Sequence, residues 1–330
     1  MIVWGMALGG YPRSRIARYA LRDAERGSIS YLELHRRLAL ASAEIIGAQK
    51  AAGLPVVVDG MVDWHDIFRP FVRSWRNVSV NGLLRYFDNN FFYRIPVFTG
   101  EPDIIEPVWP QRVREYSLLA DPATLKIVLP GPVTLARMSE HPGMSEDELA
   151  DLIANLLSRE VSLTQEYGVY VQIDEPILSD RKATPDDAAL AAELASKILG
   201  PASDRGIIAV YFDFPDRRVL EKLLEVKAKY VMLDIVDSPA RARENAIPLT
   251  GHVPVVGVVD GRRIHSDSLS EATVSIIKTL AAESDEIVVT TTTWMDLIPY
   301  RYALKKTSIL GGIVRELASR IGGEVRTLWR

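Results

Sequence analysis

Val169-Tyr-Val-Gln-Ile-Asp-Glu-Pro176 is the stretch on which the fold turns. Apolar, mostly β-branched residues at 169, 171 and 173 alternate with Tyr170 and Gln172, and no charge appears until Asp174. Two carboxylates and a proline then stop the run. This is the pattern of a buried strand that ends at a rim. Seven other runs share it: IVWGMAL from Ile2, PVVVDG from Pro55, LKIVLPG from Leu125, GIIAVYFDF from Gly206, KYVMLDIV from Lys229, VPVVGVVDG from Val253 and EIVVTTTT from Glu286. Helix-sized segments separate them. Ser30 and Glu33 have capping-box spacing ahead of LHRRLALASAEIIGAQ, and the segments Met144–Tyr167 and Ser266–Glu283 carry apolar residues at helical spacing. Strands and helices alternating eight times predict an α/β chain folded as one (β/α)8 TIM barrel over residues 1–330. A doubly wound open sheet is the runner-up, but its phosphate loop would read G-x-G-x-x-G, and the first turn here reads Gly9-Gly-Tyr-Pro-Arg-Ser14. Residues 62–107 fit no βα unit. They are too aromatic for a linker (WHDIFRPFVRSW from Trp64, LLRYFDNNFFYRIPVF from Leu83), so they are expected to form an insertion after the second strand.

With 330 residues, 48% of them hydrophobic, the chain has the means to bury a large core. A net charge of −4 gives no general attraction for nucleic acid or acidic lipid. There is no cysteine, so thiolate nucleophiles, disulfides and thiolate metal sites are excluded together. No run approaches a membrane span, and the N-terminus lacks the basic start of a signal peptide. A cytoplasmic protein without nucleic-acid or membrane partners is expected.

Barrel enzymes place their sites at the C-terminal ends of the strands. The residues there are Tyr11, Pro12 and Arg13; Asp59; Asp174 and Glu175; Tyr211 and Asp213; Asp234; Asp260, Arg262 and Arg263; and Thr292 through Asp296. Carboxylates close five of the eight runs. Such a ring suits an amino group, a hard cation, a pterin N–H edge or acid–base chemistry, although single aspartates there also serve as helix caps. Asp174 and Glu175, two adjacent charges, exceed what one cap needs and are the expected catalytic pair. Arg13, with Arg15 and Arg18 on the following helix, is placed to hold a carboxylate or phosphate. His65 and His265 lie near strand ends but no two histidines have ligand spacing, so no metal site is expected.

Several stretches resemble the cobalamin-independent methionine synthase family. Gly10–Ser30 resembles its opening G-x-P-R and basic helix, Val171–Leu178 its signature strand and Leu129–Leu135 its G-P-V-T turn. Arg85–Pro96, Gly257–Asp267 and Tyr230–Val236 resemble the N-terminal of the family's two barrels, the half that helps bind the folate polyglutamate tail. The resemblance implies substrate-binding roles for Arg13, Arg15, Arg18, Asp88, Asn90, Asp213, Asp234, Asp260 and Arg262. It also implies a methylated tetrahydropterin or folate as co-substrate, with no tightly bound cofactor. The family's zinc ligands, H-x-C, Glu and a late Cys, are replaced by Tyr211-Phe212-Asp213, Asp234 and Thr290–Tyr300. Thus the expected role is an accessory or pterin-binding component of methyl transfer from a methyl-pterin to homocysteine. Its partners would be a pterin or amino-acid ligand and a separate zinc-bearing barrel. An independent zinc-free methyltransferase and a non-catalytic regulatory barrel remain the alternatives.

Overall fold

The protein is described by a computed structural model covering residues 1–87 and 92–327. The chain begins with β1 (Ile2–Gly5), α1 (Arg15–Glu25), α2 (Tyr31–Ala51) and α3 (Arg69–Ser74), followed by an antiparallel hairpin of β2 (Trp75–Arg85) and β3 (Phe92–Ile104). Then come α4 (Trp109–Tyr116), β4 (Lys126–Pro130), α5 (Pro132–Arg137), α6 (Glu146–Ser162), β5 (Tyr170–Asp174), α7 (Pro185–Leu199), β6 (Gly206–Val210), α8 (Arg217–Leu223) and β7 (Tyr230–Asp234). The chain continues through α9 (Pro239–Asn245), β8 (Val253–Val259), α10 (Glu271–Leu280), β9 (Glu286–Thr291), α11 (Tyr300–Ile321) and β10 (Glu324–Val325).

Eight strands form one parallel sheet in the order β10-β1-β9-β8-β7-β6-β5-β4. Each of β4 to β7 is buried along its whole length, as a strand covered on both faces must be. Seven of the eight runs become strands of this sheet; the second differs. Residues 55–58 form only two parallel bridges, Met6 with Val56 and Val57 with Leu125. Those bridges still join β1 to β4 and close the ring.

The second run is short for a local reason. Gln49 of α2 donates to the Val58 carbonyl (2.8 Å) and accepts from its N–H (3.1 Å), so a side chain satisfies backbone groups that a neighbouring strand would otherwise pair. The start of β1 pairs instead with β10, Ile2 opposite Glu324 and Val3 opposite Val325. Position two of the barrel is therefore shared by residues 55–58 and the C-terminal strand.

Ser14 and Ser30 cap α1 and α2 through the N–H groups of Ala17 and Glu33, while the Glu33 carboxylate turns to Arg37 (2.7 Å). At the first strand-to-helix turn, Gly9 and Gly10 seat the indole of Trp294, since a Cβ on either would run into that ring. Among the described residues no helix is long and apolar enough to cross a membrane.

Candidate functional site

Asp174 and Glu175 end β5 with separate sets of partners. Asp174 accepts from Gln172 Nε2 (2.6 Å) at Oδ1, and from the Tyr211 hydroxyl (2.9 Å) and Trp294 Nε1 (3.1 Å) at Oδ2. Burial pushes its carboxyl up to about 6 against those hydrogen bonds and the Lys126 ammonium. Glu175 turns the other way. It accepts from the N–H groups of Val133 (3.0 Å) and Thr134 (2.8 Å) and from the Thr134 hydroxyl (2.6 Å), which makes it the cap of α5. A Cβ at Gly131 would fall on its carboxylate. Burial pushes Glu175 up to about 7. The expected catalytic pair is thus one carboxylate beneath the barrel mouth and one committed to a helix N-terminus.

The other rim carboxylates are also engaged. Asp213 pairs with Arg241 (2.8 Å), which reaches Asp216 as well. Asp260 forms an Asx turn with the N–H groups of Arg262 and Arg263. Asp234 accepts from the N–H groups of Val236 and Asp237 (2.9 and 3.1 Å). Burial and the neighbouring Asp237 hold it protonated far above the usual carboxylate range. Arg262 pairs with Asp237 and lies over the Phe212 ring, 5.7 Å from its centroid. Phe212 itself has φ +82°, a backbone conformation costly for a residue with a side chain. Asp88 and Asn90 lie outside the described residues.

The zinc ligands of the resembled family have no converging counterpart. Tyr211 is hydrogen-bonded to Asp174, Asp213 is paired with Arg241, and Asp234 is turned onto its own loop. These hard oxygen donors, turned to separate partners, do not fit a soft-tolerant cation. Among the described residues no group of three or more His, Asp or Glu could hold a metal ion.

What the mouth does offer is a cavity of about 460 Å³ between the ends of β1, residues 59–66 and the loop after β9. Arg13, Arg18, His65, Trp64, Trp294 and Asp296 are among its walls. Arg13 is half-buried and braces the turn, donating to the carbonyls of Val62 and Trp64 (both 3.0 Å). Arg18 is exposed at the cavity edge. Arg15, expected beside it, stacks instead on Tyr19 (5.3 Å), a ring that Arg22 also contacts (4.6 Å). Burial, with Arg13, Arg69 and Arg73 nearby, holds the His65 imidazole below its ordinary value. Burial pushes the Asp296 carboxyl up to about 7. A narrow slot lined by Tyr86, Tyr211, Phe212, Trp294 and Asp296 adjoins this cavity.

Sequence reasoning reached Asp296 and Trp294 only as parts of a strand end. It missed Lys126, whose signal was a lone charge opening an otherwise apolar run. It also missed Arg112, which bridges Asp59 (2.6 Å) and Asp63 (2.9 Å) beneath Trp64, Trp109 and Tyr116.

Residues 59–285 match the family model of the cobalamin-independent synthase N-terminal domain. The chain is 26% identical over 321 residues to a 5-methyltetrahydropteroyltriglutamate–homocysteine methyltransferase of Ralstonia pickettii, covering 84% of this chain and 40% of that one. It is 27% identical to the enzyme of that name from Streptomyces avermitilis, covering 83% and 35%. A methionine synthase of Pyrococcus horikoshii is 23% identical, with 85% and 82% covered. The chain therefore spans well under half the length of the first two relatives. In structure it is similar to a B12-independent methionine synthase from Shewanella sp. W3-18-1, with a TM-score of 0.79 at 14% identity over 97% of this chain and 99% of that one. That likeness shows the barrel fold.

Proposed function

This chain belongs to the family of the cobalamin-independent synthase N-terminal domain, and from that premise we propose that it binds a methylated tetrahydropterin with an anionic glutamyl tail at the mouth of its barrel. In this reading it is the pterin-binding component of methyl transfer to homocysteine, holds no cofactor tightly, and relies on a separate barrel for the zinc that activates the thiol. The observation that carries it is the cavity of about 460 Å³, a volume suited to a small organic ligand. Its aromatic walls, Trp64 and Trp294, offer faces for a flat ring. Asp296, with a carboxyl near 7, offers an acceptor for ring N–H groups, and Arg18 stands where a tail carboxylate would leave the cavity. The names of the relatives, which specify a triglutamate-bearing methyl donor and homocysteine, support the choice of ligand.

The test has two parts. Calorimetric titration of the full chain with 5-methyltetrahydropteroyl triglutamate and monoglutamate should show binding of both, tighter for the triglutamate by about tenfold, from roughly one added charge-assisted contact. Mixing the chain with a zinc-bearing barrel of the same family should then raise methionine formation above that of the barrel alone. Absence of binding overturns the pterin reading. Methionine formed by this chain alone overturns the accessory role in favour of an independent methyltransferase.

A further inference from the structure

Lys126 opens β4 and is 2% exposed in the barrel interior. Its Nζ donates to the carbonyls of Ala7 (2.8 Å) and Leu8 (2.9 Å) and to Gln172 Oε1 (2.5 Å), which uses all three ammonium protons. That contact fixes the Gln172 amide, because only its oxygen accepts from an ammonium. Its nitrogen then faces Asp174 Oδ1 at 2.6 Å. Asp174 Oδ2 completes the chain by accepting from the Tyr211 hydroxyl and the Trp294 indole. Tyr211 and Trp294 line the slot, and Trp294 also walls the larger cavity. A buried cation is thus connected, through one amide and one carboxylate, to two walls of the mouth.

We propose that Lys126 is a positioning residue whose charge, carried through Gln172, keeps Asp174 anionic and so holds Tyr211 and Trp294 in place as walls of the ligand site. A carboxylate accepts strongly from both donors at once, whereas a protonated carboxyl must itself donate from one oxygen and gives up part of that grip. The other titratable groups that face Asp174 are Tyr211, after β6, and Tyr86, at the end of the hairpin strand β2; both are held neutral by burial. Burial pushes Asp174 up to about 6 and drives Lys126 down to about 7, each opposed by the other's charge. The inference rests on the mouth being the ligand site, as proposed above.

The experiment reads the walls without any ligand. The difference in tryptophan emission between the parent chain and a Trp294→Phe variant isolates Trp294. Read in an Asp296→Asn background, which removes the other wall carboxyl that burial brings to about 7, that signal is expected to titrate near pH 6, the value to which burial brings Asp174. In Lys126→Met the counter-charge is gone, and the midpoint should rise by about one pH unit or more. Gln172→Met keeps the cation but cuts the connection; it should move the midpoint in the same direction, and it is the variant read if Lys126→Met does not fold. A midpoint unmoved in a folded variant overturns the inference, as does a parent signal that is flat from about pH 4 to 8. Because no pterin is added, failure of pterin binding leaves this result intact, and the reverse also holds.

Discussion

Arg13 and Arg18 enter the cavity from one turn and the helix that follows it, yet their guanidiniums are spent differently. Arg13 is tied to two backbone carbonyls and holds the loop of residues 62–64 in shape. Arg18 keeps its charge at the cavity edge, where an anionic tail would pass. Arg18→Ala should therefore weaken triglutamate binding by about three- to tenfold, the discount from a buried contact reflecting its exposure. The loss should shrink at high salt. Arg15→Ala, which removes only a contact with Tyr19, should leave the dissociation constant unchanged; an equal loss in both variants would move the anion site onto the outer helix face. At this scale the sequence was legible where residue type and position together named a role. Asp174, a charge after five buried positions, reads as functional from the string alone. Arg15 does not separate from Arg18, because helical spacing puts both on one face and says nothing of the Tyr19 ring that claims the first. Gly9 and Gly10 look like a failed phosphate loop until Trp294, 284 residues beyond Gly10, is seen lying against them.

Helix α5 shows what an element needs from a neighbour. It spans six residues, with Gly131 at the cap position and a proline first, so no side chain of its own satisfies its N-terminal N–H groups. Glu175 supplies the cap from the end of β5, and the Thr134 hydroxyl that donates to it also accepts from the Ile177 N–H (3.3 Å), tying turn and strand end together. Glu175→Ala should cost about 2 kcal/mol of unfolding free energy, at the upper end for a lost cap because the freed groups are buried. Gly131→Ala should cost about 1–3 kcal/mol by overpacking against the same carboxylate. Because both changes act on one contact, the double variant should lose less than the two single losses added together. Full additivity in denaturant melts would show that the cap is not what Gly131 protects. The order of strands and helices was legible because burial writes itself into runs of β-branched residues. The division of the second strand was not, since the competitors for its place, the Gln49 amide and the C-terminal β10, lie on other elements. Nor does any local pattern reveal that one of two adjacent carboxylates faces a helix and the other the barrel axis.

For the molecule as a whole, these buried carboxyls set how stability varies with pH. Glu175 and Asp296 are pushed by burial up to about 7, and Asp174 is raised as well. In the unfolded chain such groups release their protons near 4. Between those limits the native state binds more protons than the unfolded state, so stability falls as pH rises through the window and the full benefit is present only below it. Other carboxylates act in the opposite sense. Asp63 is partly buried, which raises it, but the Arg112 guanidinium outweighs that and holds it low; Asp187 is held low in the same way by Arg137. Stability from these two is present above about pH 4 and is lost as pH falls through their native values. The two sets together place the maximum in the mildly acidic range, near about pH 5, with a decline toward about pH 7, above which Lys126, driven down by burial, acts in the opposite sense. Glu175→Gln removes one of the declining contributions while keeping an acceptor oxygen for the α5 N-terminus. Its melting temperature should accordingly change less between pH 5 and 8 than that of the parent chain, and the two curves should come closest at the acidic end, where the parent's Glu175 is neutral as well. Thermal melts followed by circular dichroism across that range decide it. A parent profile that is flat or rising from pH 5 to 7 would mean that the buried carboxyls are already ionised at little cost, and the electrostatic account of the barrel mouth would fall with it.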